Sequence, residues 1–164
     1  MKIQKKQTNA HDCLICGVDN PYGVHASFYE MEDNTVVSLF TYQKYHQSYP
    51  ERVHGGMIAA MIDETIGRAV WLTNPGEYAC TLKLNIEYHK GVPYDVPLKC
   101  VAKIDHVDKI AFKGHAELQT MDGQMLCKGN GLYMFLKKEQ ISPDTNVKEE
   151  DLNTFIPDNL TEIN

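Results

Sequence analysis

The chain has 164 residues, enough to bury one core of ordinary size, and its 43% hydrophobic and 23% charged residues are the balance of a soluble globular domain. No apolar run approaches the ~18 residues of a membrane span. The net charge is −6, but seven of the 22 acids and one of the 16 bases fall in residues 139–164, leaving 15 of each sign elsewhere; a neutral body excludes the basic surface that nucleic acid requires.

The start, "MKIQKKQTNAHDC", is polar and basic without an apolar segment, so no secretory signal is visible and a cytoplasmic location is expected. Five cysteines, an odd number, argue for reduced thiols over a disulfide framework. Residues 1–23 form an N-terminal segment containing Cys13-Leu14-Ile15-Cys16. One such pair supplies half of a tetrahedral shell, so it is read as a structural turn with no metal, a metal shared between subunits being the alternative.

From there the chain reads as a turn at Asn20-Pro21-Tyr22-Gly23, a strand over Val24 to Met31, a turn at Glu32-Asp33-Asn34 and a second strand through Thr41. A polar loop leads to His54-Gly55-Gly56 and a helix that ends near Thr73, before the breaker Asn74-Pro75-Gly76. Strands are then predicted over Tyr78 to His89, Pro97 to Val107, Ala111 to Met121 and Met125 to Leu136, the last pair joined by an Asp-Gly turn. Two strands, one long helix and four strands make an α+β domain over residues 24–138, a single antiparallel sheet curled around one helix. Residues 139–164, acidic and holding Pro143 and Pro157, are expected to be a loosely ordered tail.

Stepping ~100° per residue along the helix gathers Ile58, Ile62, Ile66, Ala59, Ala69 and Val70 on one face and Glu64, Thr65 and Arg68 on the opposite, wet face. Glu64 and Arg68 are spaced i, i+4 with the acid first, the favourable order for an exposed pair. Asp63 falls instead beside Val70 and Ala59. An acid there costs free energy unless it is paired, so it is either a catalytic or binding carboxylate or a satisfied structural acid. At the helix start, two glycines leave backbone N–H groups unobstructed at the positive end of the dipole, where an oxyanion or carbonyl oxygen can be held. The bland alternative is a tight loop-to-helix turn. Gly56 and Asp63 are seven residues apart, roughly 10 Å along the axis, so one copy cannot bring both to one carbonyl. An enzyme built on them needs two helices antiparallel across a two-fold axis, hence a homodimer.

The stretch "VHGGMIAAMIDETIG" resembles the signature of hotdog-fold acyl-CoA thioesterases of the 4-hydroxybenzoyl-CoA and phenylacetate-pathway type, with His-Gly-Gly at the start of the central helix and a catalytic acid nine residues after the His. "HQSYPERVHGG", "CTLKLNIEYHKGV" and "MDGQMLCKGNGLYMFL" resemble other strands of that family, so the likeness spans roughly residues 12–137. It implies a hotdog fold, a curved sheet wrapped around the helix, and hydrolysis of an acyl-CoA substrate without metal or cofactor by a homodimer or dimer of dimers. On that resemblance Gly56 polarises the thioester carbonyl, Asp63 of the facing subunit is general base or nucleophile, and His54 shapes the loop. Gln47 fills the place of an assisting amide, Gly55 and Thr81 contact substrate, and Lys90 and Lys109 meet CoA phosphates. Relatives often carry glycine where this chain has Glu51-Arg52. The competing readings are a hotdog hydroxyacyl-thioester dehydratase and a non-catalytic acyl-CoA-binding protein.

Overall fold

The computed structural model describes residues 1–141 and 148–164. Its strands are β1 (Ile3–Lys6), β2 (Ser27–Met31), β3 (Val36–Thr41), the short β4 (Gln47–Tyr49) and β5 (Arg52–Val53), then β6 (Tyr78–Tyr88), β7 (Pro97–Val107), β8 (Ala111–Thr120) and β9 (Met125–Leu136). The helix α1 (Gly55–Ala69) runs on into a 3-10 turn at Val70–Leu72; α2 (Lys138–Ile141) and α3 (Glu149–Leu152) are single turns. Seven strands make one antiparallel sheet in the order β1-β2-β3-β7-β8-β9-β6, and β4 pairs with β5 separately. This is the α+β, hotdog arrangement expected, with the six predicted strands in place. The seventh, β1, falls in a stretch, IQKK, whose one apolar side chain is Ile3.

The core lies between α1 and the concave face of the sheet. Ile58, Met61, Ile62, Ile66 and Ala69 of α1 are buried against Phe28, Phe40, Cys100 and Leu118. Burial alternates along β8 at Phe112, Gly114, Ala116 and Leu118, the period of a half-buried strand. A Cβ on Gly114 would lie 2.9 Å from Ile66 Cγ2, and one on Gly129 2.8 Å from Ile62 Cγ2. Side-chain-free positions on β8 and β9 thus let the helix settle directly onto the sheet.

The wet face predicted for α1 is corrected at two residues. Thr65 is fully buried, facing Ser38 of β3, and Arg68 is only 7% exposed, because the N-terminal segment reaches it through Thr8 and Cys16. Thr65 Oγ1 donates to Met61 O (2.7 Å) and shares a hydrogen bond with Ser38 Oγ (3.1 Å). The Arg68 guanidinium lies over the Phe28 and Trp71 rings, 4.7 and 4.8 Å from their centroids, and donates to Glu64, Thr8 O and Cys16 Sγ. The i, i+4 pair exists, but its cation is enclosed.

The tail also departs from expectation where it is described; Pro143 and Asp144 lie outside the described residues. Thr154 bridges to Asn9, Glu162 to Lys2, Ile163 is buried, and Asp158 accepts from Lys6 Nζ (2.7 Å) and Tyr29 Oη (2.6 Å). One acid of the stretch that composition marked as a solvated tail, Asp158, thus meets Lys6 of β1. All five cysteines are unpaired. Among the described residues no helix is long and apolar enough to cross a membrane.

Candidate active site

Two places on α1 carry the chemistry. At its start His54 is the N-cap, in extended conformation, and its Nδ1 accepts the Gly56 N–H at 2.9 Å. The His54 carbonyl takes the Met57 and Ile58 N–H groups. The Gly55 N–H, which as the first helical residue has no partner within the helix, finds no acceptor among the described residues. Of the two glycines, Gly55 therefore offers the open donor, whereas Gly56 must exchange its His54 contact for a ligand. Tyr88 at the end of β6 donates to Gly55 O (2.8 Å).

The β4–β5 hairpin delivers other candidates to this end. Gln47 is paired with Val53, one residue before the N-cap, and is exposed. The turn between these strands requires a left-handed residue, and Glu51 takes it with φ 63°. That explains the departure at Glu51-Arg52, since the conformation that favours glycine is retained at a cost of ~1–2 kcal/mol. Lys90 lines a cavity beside the helix start together with Arg52, Gly55, Tyr88, His89 and Gly91.

Asp63 lies further along α1, half-buried where the helix crosses β9 and the edge strand β6. Thr81 Oγ1 donates to both its carboxylate oxygens (2.9 and 3.2 Å), and Tyr133 Oη donates to Oδ1 (2.9 Å). Oδ1 is thus doubly engaged, and Oδ2, held once and at longer range, is the freer oxygen to accept a proton. Burial, and then the neighbouring Asp63 charge, push the Tyr133 hydroxyl well above its ordinary range, so it stays a donor. Its ring stacks on Phe112 with centroids 4.8 Å apart. Asp63 opens into a cavity of about 240 Å³ lined also by Glu64, Gly67, Arg68, Trp71 and Thr81. That is below the ~300 Å³ at which small-molecule pockets usually begin.

The fold thus gathers His54, Gly55, Gly56, Gln47 and Lys90 at the start of α1 and places Asp63 with Thr81 midway along it. Lys109 joins neither: it sits in the β7–β8 turn and lines neither cavity. Sequence reasoning missed Tyr133 and Tyr88. A signal for Tyr133 was present in the glycines of "GNG" within a strand, since a Cβ on Gly131 would lie 2.4 Å from the Tyr133 ring.

Residues 51–127 match the model of the thioesterase superfamily. The chain is 28% identical over 117 residues to the acyl-coenzyme A thioesterase THEM5 of Homo sapiens, covering 71% of this chain and 47% of that protein. It is 41% identical over 69 residues to THEM4 of Mus musculus, covering 42% of this chain and 29% of that one. The chain therefore spans about half the length, or less, of these curated relatives. Among solved structures, a thioesterase superfamily protein superimposes with a TM-score of 0.66 at 27% identity, covering 74% of this chain and 62% of that chain. The BH2602 protein of Bacillus halodurans, solved with CoA, gives 0.59 at 28% identity over 68% of this chain and 74% of that one. The resemblance and the fold expected from "VHGGMIAAMIDETIG" are borne out.

Proposed function

We propose that this chain, whose residues 51–127 match the thioesterase superfamily, hydrolyses an acyl-CoA thioester to the free acid and CoA. The observation that carries the reading is Asp63, a carboxylate oriented by two hydroxyl donors, with Oδ2 the less engaged oxygen for proton transfer. As general base, Asp63 takes a proton from water while the water oxygen bonds to the thioester carbon. The carbonyl oxygen gains the negative charge and is held by backbone N–H groups at a helix start, Gly55 or Gly56. Collapse breaks the C–S bond, and the departing thiolate takes the proton back from Asp63. A nucleophilic Asp63 would instead form an anhydride that water cleaves.

The helix start and Asp63 belong to different copies in this reading. β6 is the terminal strand of the sheet, 11 residues long, bonded on one side only to β9 and with Leu82 54% exposed. A strand related to its own copy by a two-fold axis across the sheet pairs antiparallel, which continues the sheet and places each Asp63 cavity beside the other chain. The cavity, too small on its own, is completed by the partner. Five unpaired thiols support a reducing compartment such as the cytoplasm.

The test is CoA release from short, medium, long and aromatic acyl-CoAs, comparing wild type with Asp63→Asn. Activity abolished by the substitution in a folded dimer is expected; no release from any substrate would refute the reading, and full activity in the variant would remove Asp63 from it.

A further inference from the structure

Away from the helix start, the N-terminal segment presses a cluster of metal-ligand atoms against α1. The Sγ atoms of Cys13 and Cys16 and a carboxylate oxygen of Glu64 lie within 4.8 Å of one another. The turn that carries the cysteines is shaped for this convergence. Ile15 and Cys16 both donate their backbone N–H groups to Cys13 Sγ (3.3 and 3.4 Å), and the Gly17 N–H closes the turn on Cys13 O (2.8 Å). A Cβ on Gly17 would lie 2.3 Å from Cys13 O, so the turn can be this tight only because glycine follows Cys16. Asn9 fixes the second cysteine by donating to Cys16 O at 2.7 Å. Two amide donors aimed at one sulfur favour its thiolate, the form that binds metal.

We propose that Cys13, Cys16 and Glu64 bind a zinc-class divalent cation that fastens the N-terminal segment to the helix carrying Asp63. Two thiolates select zinc-class ions over magnesium or calcium. Donors around a tetrahedral ion with ~2.3 Å metal–sulfur bonds lie ~3.8 Å apart, so the cluster closes on the ion by about 1 Å of side-chain rotation. A water fills the fourth position. Charge supports the assignment. Two thiolates and a carboxylate on a dication leave one negative charge, and the enclosed Arg68 guanidinium, donating to Cys16 Sγ (3.0 Å) and Glu64 Oε1 (3.0 Å), neutralises it. Binding releases the protons that the two thiols carry. Neither cysteine lines the Asp63 cavity, although Glu64 and Arg68 do, so the ion sits behind one wall of that cavity and holds the N-terminal segment in place, and its test reads metal binding, not turnover.

The probe is Co(II), added to the reduced, chelator-treated protein and followed by its thiolate-to-metal charge-transfer absorption. One equivalent per chain is expected. Cys13→Ser and Cys16→Ser should each abolish the band, Cys80→Ser should leave it, and Glu64→Gln should keep it with binding weakened by at least ~10-fold. A variant-free arm uses the wild type alone: Zn(II) should shield Cys13 and Cys16, and no other cysteine, from alkylation mapped by mass spectrometry. Absence of both the band and the protection overturns the site, as does a band that survives both serine variants. So does a Cys13–Cys16 disulfide that forms in air and resists displacement when Zn(II) is present with reductant.

Discussion

The start and the middle of α1 differ in the kind of group they present. At the start, the groups on offer are backbone N–H donors, and the sequence supplies them by omission: Gly55 and Gly56 bring no side chain, and His54 caps one donor while the other stays open. Seven residues on, Asp63 is a side chain whose properties come from elsewhere, from Thr81 on the edge strand and Tyr133 on β9. A helix terminus is a local device, complete within a few residues. A positioned carboxylate is a tertiary one, and it depends on strands 18 and 70 residues away in sequence.

The sharpest way to break this contrast is Asp63→Asn, which keeps shape and removes the proton acceptor. We expect kcat to fall ~10²–10⁴-fold, the range of a lost general base, with the melting temperature nearly unchanged. Tyr133→Phe leaves the ring stacked on Phe112 but removes a donor to a charged oxygen, a contact worth ~1.5–3 kcal/mol. It should lower kcat by about 10- to 100-fold while KM moves little, read in steady-state kinetics. His54→Ala removes the cap at the helix start. Unfolding by urea should show a loss of ~1 kcal/mol, and because Gly56 N–H is then released, activity should fall less than for either side-chain variant. The smallest effect is at Gly67, where an added Cβ meets nothing within 4 Å. Gly67→Ala should stabilise a lone chain by ~0.5–1 kcal/mol through helix propensity. A loss of stability and of dimer in sedimentation would instead show the partner packed against that face.

The same contrast explains what could be read in advance. The six main strands follow from period-two patterns and turn residues. The helix start and Asp63 follow from residue types at fixed spacing. A helical wheel puts Thr65 and Arg68 on a wet face because it knows nothing of Ser38 on β3, which meets Thr65, or of the N-terminal segment, whose Thr8 and Cys16 meet Arg68. β1 carries the sequence IQKK, with Ile3 its only apolar residue, and is held by its ladder to β2 and by the Lys6–Asp158 pair. Tyr133 is invisible as a ligand for Asp63 until β9 is laid against α1. Glu51 shows the converse: the residue departs from glycine, yet the backbone keeps the left-handed turn.

If the chain pairs through β6 as proposed, the one-sided ladder of that strand has a consequence for its life before pairing. An unpaired chain presents along the 11-residue β6 the alternate N–H and C=O groups that β9 does not take, with Leu82 and Tyr88 exposed among them, a template for any passing strand. Lys83 and Glu87 are the charges placed on that edge to discourage such encounters. Self-recognition then competes with aggregation for the same row of hydrogen bonds. Soluble yield and resistance to heat should rise with protein concentration until pairing is complete.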